Sequence, residues 1–243
     1  MSTSVTQAET PTNHLTWQHL APIVGIIATA SMAIAAVLLR DLEAAGVTVA
    51  YAVATLLVRS RHGKLGAIGM IVVSVVTLAF MTPAAIANIR AGSGVPAVFA
   101  SAGLATVALL AIITHIGVLT GSESTIGPRT VIAISALLLV GMVSAGALRT
   151  SEQPEIDFRL VANHVAFSTD AFNVNSGRVT VALENKDLFW HTFTIEDLGV
   201  NLWVPVGAEL TTTFDASPGA YEFICVIPGH PQAGMRGTLT VSG

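Results

Sequence analysis

The chain has 243 residues, 52% of them apolar and 11% charged, and its mean hydropathy is +0.71. Soluble domains carry about a quarter charged residues, so a purely soluble protein is excluded. The charge also splits by position: residues 1–150 hold seven Lys/Arg against four Asp/Glu, and residues 151–243 hold four against eleven. With no basic face to neutralise phosphates, nucleic acid is excluded as a partner. A single cysteine excludes an intrachain disulfide framework and any site built from several thiolates.

Residues 1–19 form a polar N-terminal segment without Lys or Arg, lacking the basic start of a cleavable signal. Trp17 is expected at the membrane interface, where an indole is favoured. Four uncharged runs then match the roughly 20 helical residues that a hydrocarbon core requires: Leu20–Leu39, Leu65–Ile89, Pro96–Thr120 and Thr130–Leu148. A shorter run, Ala44–Val58, rises only about 22 Å and spans if its flanks extend it or the bilayer thins. Five helices over residues 20–149 are therefore expected. Arg59, Arg61 and Lys64 cluster in one loop, which marks that loop as cytoplasmic. Three further crossings place everything after Arg149 outside the cytoplasm, with Arg90 outside and Arg129 inside. The chain reads as a multi-pass cell-membrane protein whose C-terminal part is extracytoplasmic.

His115, inside the fourth span, is expected to snorkel or to hydrogen-bond locally, since no second intramembrane His is available to complete a bis-imidazole haem. The spans hold no Asp or Glu, so no proton relay or ion path is visible. Gly66, Gly69 and the abundant Ala suit close helix packing. The helical half is expected to act as an anchor and docking platform.

Residues 150–155 are polar and contain Pro154, and read as a linker reaching at most some 20 Å. From residue 156 the period changes to two. Short alternating runs (Asp157–Ala162, Arg178–Glu184, His191–Glu196, Glu209–Phe214, Ala220–Val226, Gly237–Val241) are separated by turn signals such as Asn185-Lys-Asp187 and Ser217-Pro-Gly219. They predict an antiparallel sandwich or barrel of about 90 residues.

One stretch of this half concentrates the chemistry. Cys225, His230 and Met235 are spaced Cys-x4-His-x4-Met, and a strand ending at Cys225 followed by a turn through Pro228-Gly229 would fold the three together. His191 opens another strand and could approach from beside them. A thiolate, two imidazoles and a thioether make the trigonal site of blue copper proteins, in which one copper ion changes oxidation state with little rearrangement. Zinc would use Cys and His equally well, but Met235 adds little for that cation. Gln232 is an alternative axial donor that lies off the expected spacing.

The residues Asn185-x5-His191-Thr-Phe193, Gly219-x-Tyr221-x-Phe223-x-Cys225, Pro228-Gly-His230 and Gly234-Met235-x-Gly237-x-Leu239-x-Val241 resemble the cupredoxins, with ligand spacing similar to the auracyanin, rusticyanin and sulfocyanin branches. The resemblance covers about residues 155–243. It implies a Greek-key sandwich, one type 1 copper ion on His191, Cys225, His230 and Met235, and single-electron transfer rather than catalysis. Two positions depart from the common family pattern: Thr192 stands where many members have Asn, and Val226 where many have Ser or Thr. Both adjoin the ligands without being ligands, so they bear on the reduction potential. The resemblance further implies that the His230 edge reaches the surface through an apolar patch. Phe189, Trp190, Trp203 and Ile227 are candidates for that patch, although at least two of these aromatics are expected in the core.

No second copper cluster can be assembled, since there is no His-x-His pair and His164 stands alone; a binuclear copper centre would need two cysteines. The expectation is a membrane-anchored electron carrier whose donor and acceptor are membrane or extracytoplasmic redox proteins. A soluble partner of the acidic β half would be basic, with salt-sensitive association. The alternatives are a copper-handling protein that stores, senses or passes on the ion, and a structural module with a vestigial site.

Overall fold

A computed structural model describes residues 15–39, 42–122, 126–148 and 155–243. Most of the N-terminal segment and of the linker reading (1–14 and 150–154) lies outside the described residues.

Five helices come first: α1 (Trp17–Leu39), α2 (Leu42–Val58), α3 (Gly63–Ala91), α4 (Val95–Leu119) and α5 (Ile126–Ala147). Four of them, all but α2, are long and apolar enough to cross a membrane. Small residues make much of the packing, joined on α1 by Leu20, Val24 and Met32, while many large aliphatic side chains face outward, as expected where the surrounding medium is itself apolar. On α4 the buried set is dominated by Ala97, Ala102, Ala105, Ala108 and Ala111, whereas on α3 Val72, Val76 and Phe80 stay half exposed. At Gly66 a Cβ would lie 2.3 Å from the Val58 nitrogen, so only glycine allows the start of α3 to press on the end of α2. Pro83 is accommodated within α3.

Trp17 is buried against the neighbouring helices. Its indole occupies the space above Gly117 and Gly127, where a Cβ would come within 2.5 and 2.6 Å of the ring. The start of α1 therefore lies beside the end of α4 and the start of α5. His115 does not snorkel: it is fully buried, and its Nδ1 lies 2.7 Å from the Ala111 carbonyl one turn back. Its Nδ1 is thereby paired on its own helix, while the buried Nε2 has no hydrogen-bond partner among the described residues.

The β half contains β1 (Phe158–Asn163), β2 (Ala166–Phe167), β3 (Ala171–Asn175), β4 (Gly177–Asn185), β5 (His191–Ile195), β6 (Val200–Val204), β7 (Glu209–Ala216), β8 (Gly219–Ile224) and β9 (Arg236–Ser242). They form two sheets, ordered β2-β1-β4-β7 and β3-β9-β8-β5-β6. The sheets are mixed rather than purely antiparallel, because β1 pairs with β4 and β3 with β9 in parallel. Of these pairings, the second rests on β3, which the sequence signals did not reveal, as they did not reveal β2 and β6. Leu160, Val181, Leu183, Phe193, Phe223 and Leu239 fill the space between the sheets, all fully buried. Each such side chain contributes about 2–3 kcal/mol.

The β domain does not hang free of the helices. Val206, in the turn between β6 and β7, is buried in the helical core, and Leu188 and Trp190 pack against the same cluster. The Asn88 amide near the end of α3 donates to the Val206 carbonyl at 3.2 Å, and also faces Ser101 Oγ and the Ala97 carbonyl of α4. This contact lies at the end of α3 away from the Arg59–Lys64 loop.

Candidate metal centre

The site begins with a turn. Asn185, buried at the end of β4, donates from Nδ2 to the carbonyls of Phe189 (2.8 Å) and Val204 (3.0 Å), while its Oδ1 accepts the Asp187 N–H (2.9 Å). That closed turn aims the Asp187 carboxylate inward. It accepts the backbone N–H groups of His164 (2.9 Å) and Val165 (3.4 Å), both held at positive φ in the tight β1–β2 turn. A β-branched residue such as Val165 resists this conformation, at a cost of order 1–3 kcal/mol. Two consecutive N–H groups converging on one carboxylate offset it.

The carboxylate's other task is to hold His191. Asp187 Oδ2 lies 2.7 Å from His191 Nε2, with both side chains fully buried. This contact leaves Nδ1 as the ring nitrogen facing Cys225, whose Sγ lies 3.9 Å away. Cys225 follows directly after β8 and is itself fully buried. The Thr192 N–H points at its sulfur from 3.4 Å, and Thr192 Oγ1 accepts the Val226 N–H at 2.8 Å. Thr192 thus ties the His191 strand to the segment that carries Cys225.

His230 comes from the loop between β8 and β9. Its N–H bonds to the Ile227 carbonyl, and its own carbonyl receives the N–H groups of Ala233 and Met235. Gly229 and Gly234 adopt φ of 91° and 101°, which lets the chain reverse twice within six residues. The loop brings His230 Nδ1 to 3.3 Å from Cys225 Sγ. Met235 closes it: fully buried, with its carbonyl accepting the Cys225 N–H at 3.0 Å. Gln232, the alternative axial donor, is exposed.

His191, Cys225 and His230 place one donor atom each within 4.8 Å of one another, a separation that a single metal ion can bridge. The electrostatics favour the ligating form at Cys225 and His230, whereas at His191 they favour the protonated ring, whose proton a metal would have to displace. Burial opposes ionisation of the Cys225 thiol, yet the hydrogen bond with His191 and the N–H groups of Thr192 and Ile227 bring it below its ordinary value. Burial likewise works against charge on His191, but Asp187 and then Cys225 raise it above the usual imidazole range. Asp187 is lowered, since His191 and the backbone donors outweigh its burial. His230 is lowered by its burial and by the neighbouring His191 charge. One soft thiolate, two imidazoles and a buried thioether match a copper that alternates between its two oxidation states. Among the described residues, no carboxylate oxygen joins the cluster.

The four apolar candidates around His230 do gather there. Phe189, Trp190, Trp203 and Ile227 line one groove with it, and none of the four is fully buried, so the expectation that at least two belong to the core is not met. The C-terminal end of α3 supplies packing that the sequence did not announce. Asp187 was likewise legible only as part of a turn signal; its place four residues before the candidate ligand His191 was the available clue.

A protein-family profile described as a cupredoxin-like domain matches residues 131–241, from within α5 to the last strand. Among solved structures, a reduced auracyanin from Roseiflexus castenholzii is 23% identical, with 35% of this chain and 96% of that chain covered and a TM-score of 0.33. A reduced rusticyanin is 20% identical, covering 37% and 82%, with a TM-score of 0.31. A copper-containing nitrite reductase from Thermus scotoductus is 21% identical, covering 39% and 24%, with a TM-score of 0.29. Among curated proteins, none matches this chain.

Proposed function

From a C-terminal domain that is cupredoxin-like, we propose a membrane-anchored blue copper protein that carries single electrons between redox partners outside the cytoplasm. The reading rests on one observation: the Cys225 sulfur and one nitrogen from each of His191 and His230 lie within 4.8 Å of one another, with Met235 buried and its carbonyl bonded to the Cys225 N–H. Copper held by His191, Cys225, His230 and Met235 would alternate between cupric and cuprous states, taking up and releasing one electron per cycle.

The chain's own part is to hold that donor set still. Asp187 locks the orientation of His191, the Thr192 N–H moderates charge on the Cys225 sulfur, and the closed loop from Ile227 to Met235 limits movement of the other two donors. A site held this way changes little in shape between oxidation states. The burial of Cys225 and His191 also speaks against a copper-handling role. Passing the ion on requires an incoming ligand to reach the site, and two of its three closest donors are shielded from solvent.

The bilayer carries the helices, and the positive Arg59–Lys64 loop, at the end of α3 away from the Asn88–Val206 contact, supports a cytoplasmic face there and an extracytoplasmic β domain. The test is an optical and paramagnetic spectrum of the full chain loaded with Cu(II). An intense visible thiolate-to-copper band that disappears on reduction and returns on reoxidation is expected. A colourless cupric form would overturn the assignment.

A further inference from the structure

The groove at His230 is not bounded by the β domain alone. Phe80 of α3 forms one wall, and Phe189, Trp190, Trp203 and Ile227 form the others, around a space of about 440 Å3. Apart from His230, no lining residue is ionisable. The His230 Nδ1 edge is turned to Cys225, which leaves Nε2 as the polar atom on the other side of the ring.

Phe80 also belongs to a different surface. Ile68, Val72, Val76 and Phe80 follow one another at intervals of four on α3, and each is about half exposed. This spacing makes a single helical face. It is the face that α3 offers to the bilayer, and it runs without a charged residue into the groove. Trp203 is half exposed at the rim, an arrangement suited to the level where an indole meets lipid headgroups. The contact of Asn88 with Val206 and the packing of Leu188 and Trp190 hold the β domain against this end of α3.

An occupant arriving along that path must dissolve in the membrane. Four aromatic rings favour a flat ring over a flexible chain, and a mostly apolar pocket with one polar group selects an amphipathic molecule able to hydrogen-bond at a single point. We propose that the groove binds the ring of a lipid-soluble quinone or hydroquinone, one of its oxygens facing His230 Nε2 and its tail lying along the Val72–Phe80 face. The inference rests on the electron-carrier reading only for the purpose of such binding; the binding itself needs no metal.

The metal-free full chain, in phosphatidylcholine nanodiscs, is titrated with a decyl-substituted 1,4-benzoquinone while tryptophan fluorescence is followed. Saturable quenching at one quinone per chain is expected. Phe80→Ala should weaken it about fivefold, the share of one aromatic contact. Phe80→Tyr should restore it, and Ile68→Ala, farther along the same face, should leave it unchanged. Decylcyclohexane, with the tail but no flat ring and no oxygen, should not compete. Quenching that stays linear, that ignores Phe80→Ala, or that decylcyclohexane abolishes would overturn the proposal. Because copper is absent throughout, these results and the copper spectrum fail independently of each other.

Discussion

The Asp187 carboxylate and the His191 imidazole meet at 2.7 Å with no solvent access to either, so a full negative charge stands directly behind one of the proposed ligands. An anion so placed makes the imidazole a stronger donor and favours the more positive metal state. Asp187→Asn keeps the shape and removes the charge. The variant should bind Cu(II) about tenfold more weakly, the lower end of what loss of such a partner costs. If affinity for Cu(I) is unaffected, the same factor raises the reduction potential by about 60 mV. Voltammetry of the loaded full chain measures it, and an unchanged or lowered potential would show that the carboxylate serves only the β1–β2 turn.

The two sulfurs should separate in their effects. Cys225→Ser removes the thiolate and with it the whole visible band, whatever else binds. Met235→Gln replaces a soft donor by a harder oxygen that prefers the cupric state, so the band should persist while the potential falls. Because Met235 is fully buried and Gln is polar, thermal unfolding of this variant should be followed alongside the spectrum.

Thr192 offers a test of how the site is braced. Its hydroxyl accepts the Val226 N–H at 2.8 Å and also lies 3.3 Å from the Thr194 hydroxyl, which donates to it. Thr192→Val preserves volume and leaves the Val226 N–H without that partner. A loss of about 1–3 kcal/mol in the unfolding free energy of the β domain follows, read by chemical denaturation. Since the Thr192 N–H to Cys225 Sγ contact is a backbone one, the visible band should survive in the folded fraction.

How much of this was open to reading before any coordinates can be judged from particular residues. The long spans and the alternating strands announce themselves through composition and period, and the spacing of Cys225, His230 and Met235 points to one loop because the three are near in sequence. His191 could be read only as opening a strand that might approach, because its place depends on β5 lying beside β8. Asp187 was hidden, since a buried carboxylate in a turn looks like any solvated turn residue until its backbone donors are known. β2, β3 and β6 escaped because each is at most five residues long, too short for a period of two to stand out, and β3 pairs with a strand distant in the chain. Thr192 looked like a departure from the family pattern, yet its hydroxyl and its N–H each hold a group of the ligand segment. The seat of the β domain on α3 depends on one amide and three apolar side chains scattered from residue 88 to 206, a relationship that periodicity cannot express.

That seat yields the last prediction. Asn88 is fully buried between α3 and α4, and its Nδ2 contacts the Val206 carbonyl, Ser101 Oγ and the Ala97 carbonyl. Asn88→Leu fills similar space without donating, which leaves the Val206 carbonyl buried and unpaired at a cost of about 1–3 kcal/mol. The helices retain their own backbone bonds, so the strain falls on the docking of the β domain. Amide hydrogen exchange in the full chain should accelerate at Leu188–Trp190 and around Val206, by roughly the tenfold or more that such an energy implies. The β4–β7 ladder should exchange as before, because those strands are paired along their length and do not rely on α3. The visible band of the copper-loaded variant should also remain, since Asn185 and Asp187 brace His191 from within the β domain. Uniform acceleration through β4 and β7 would mean instead that the β domain depends on the helices for its own stability, and that the two halves fold as a single unit.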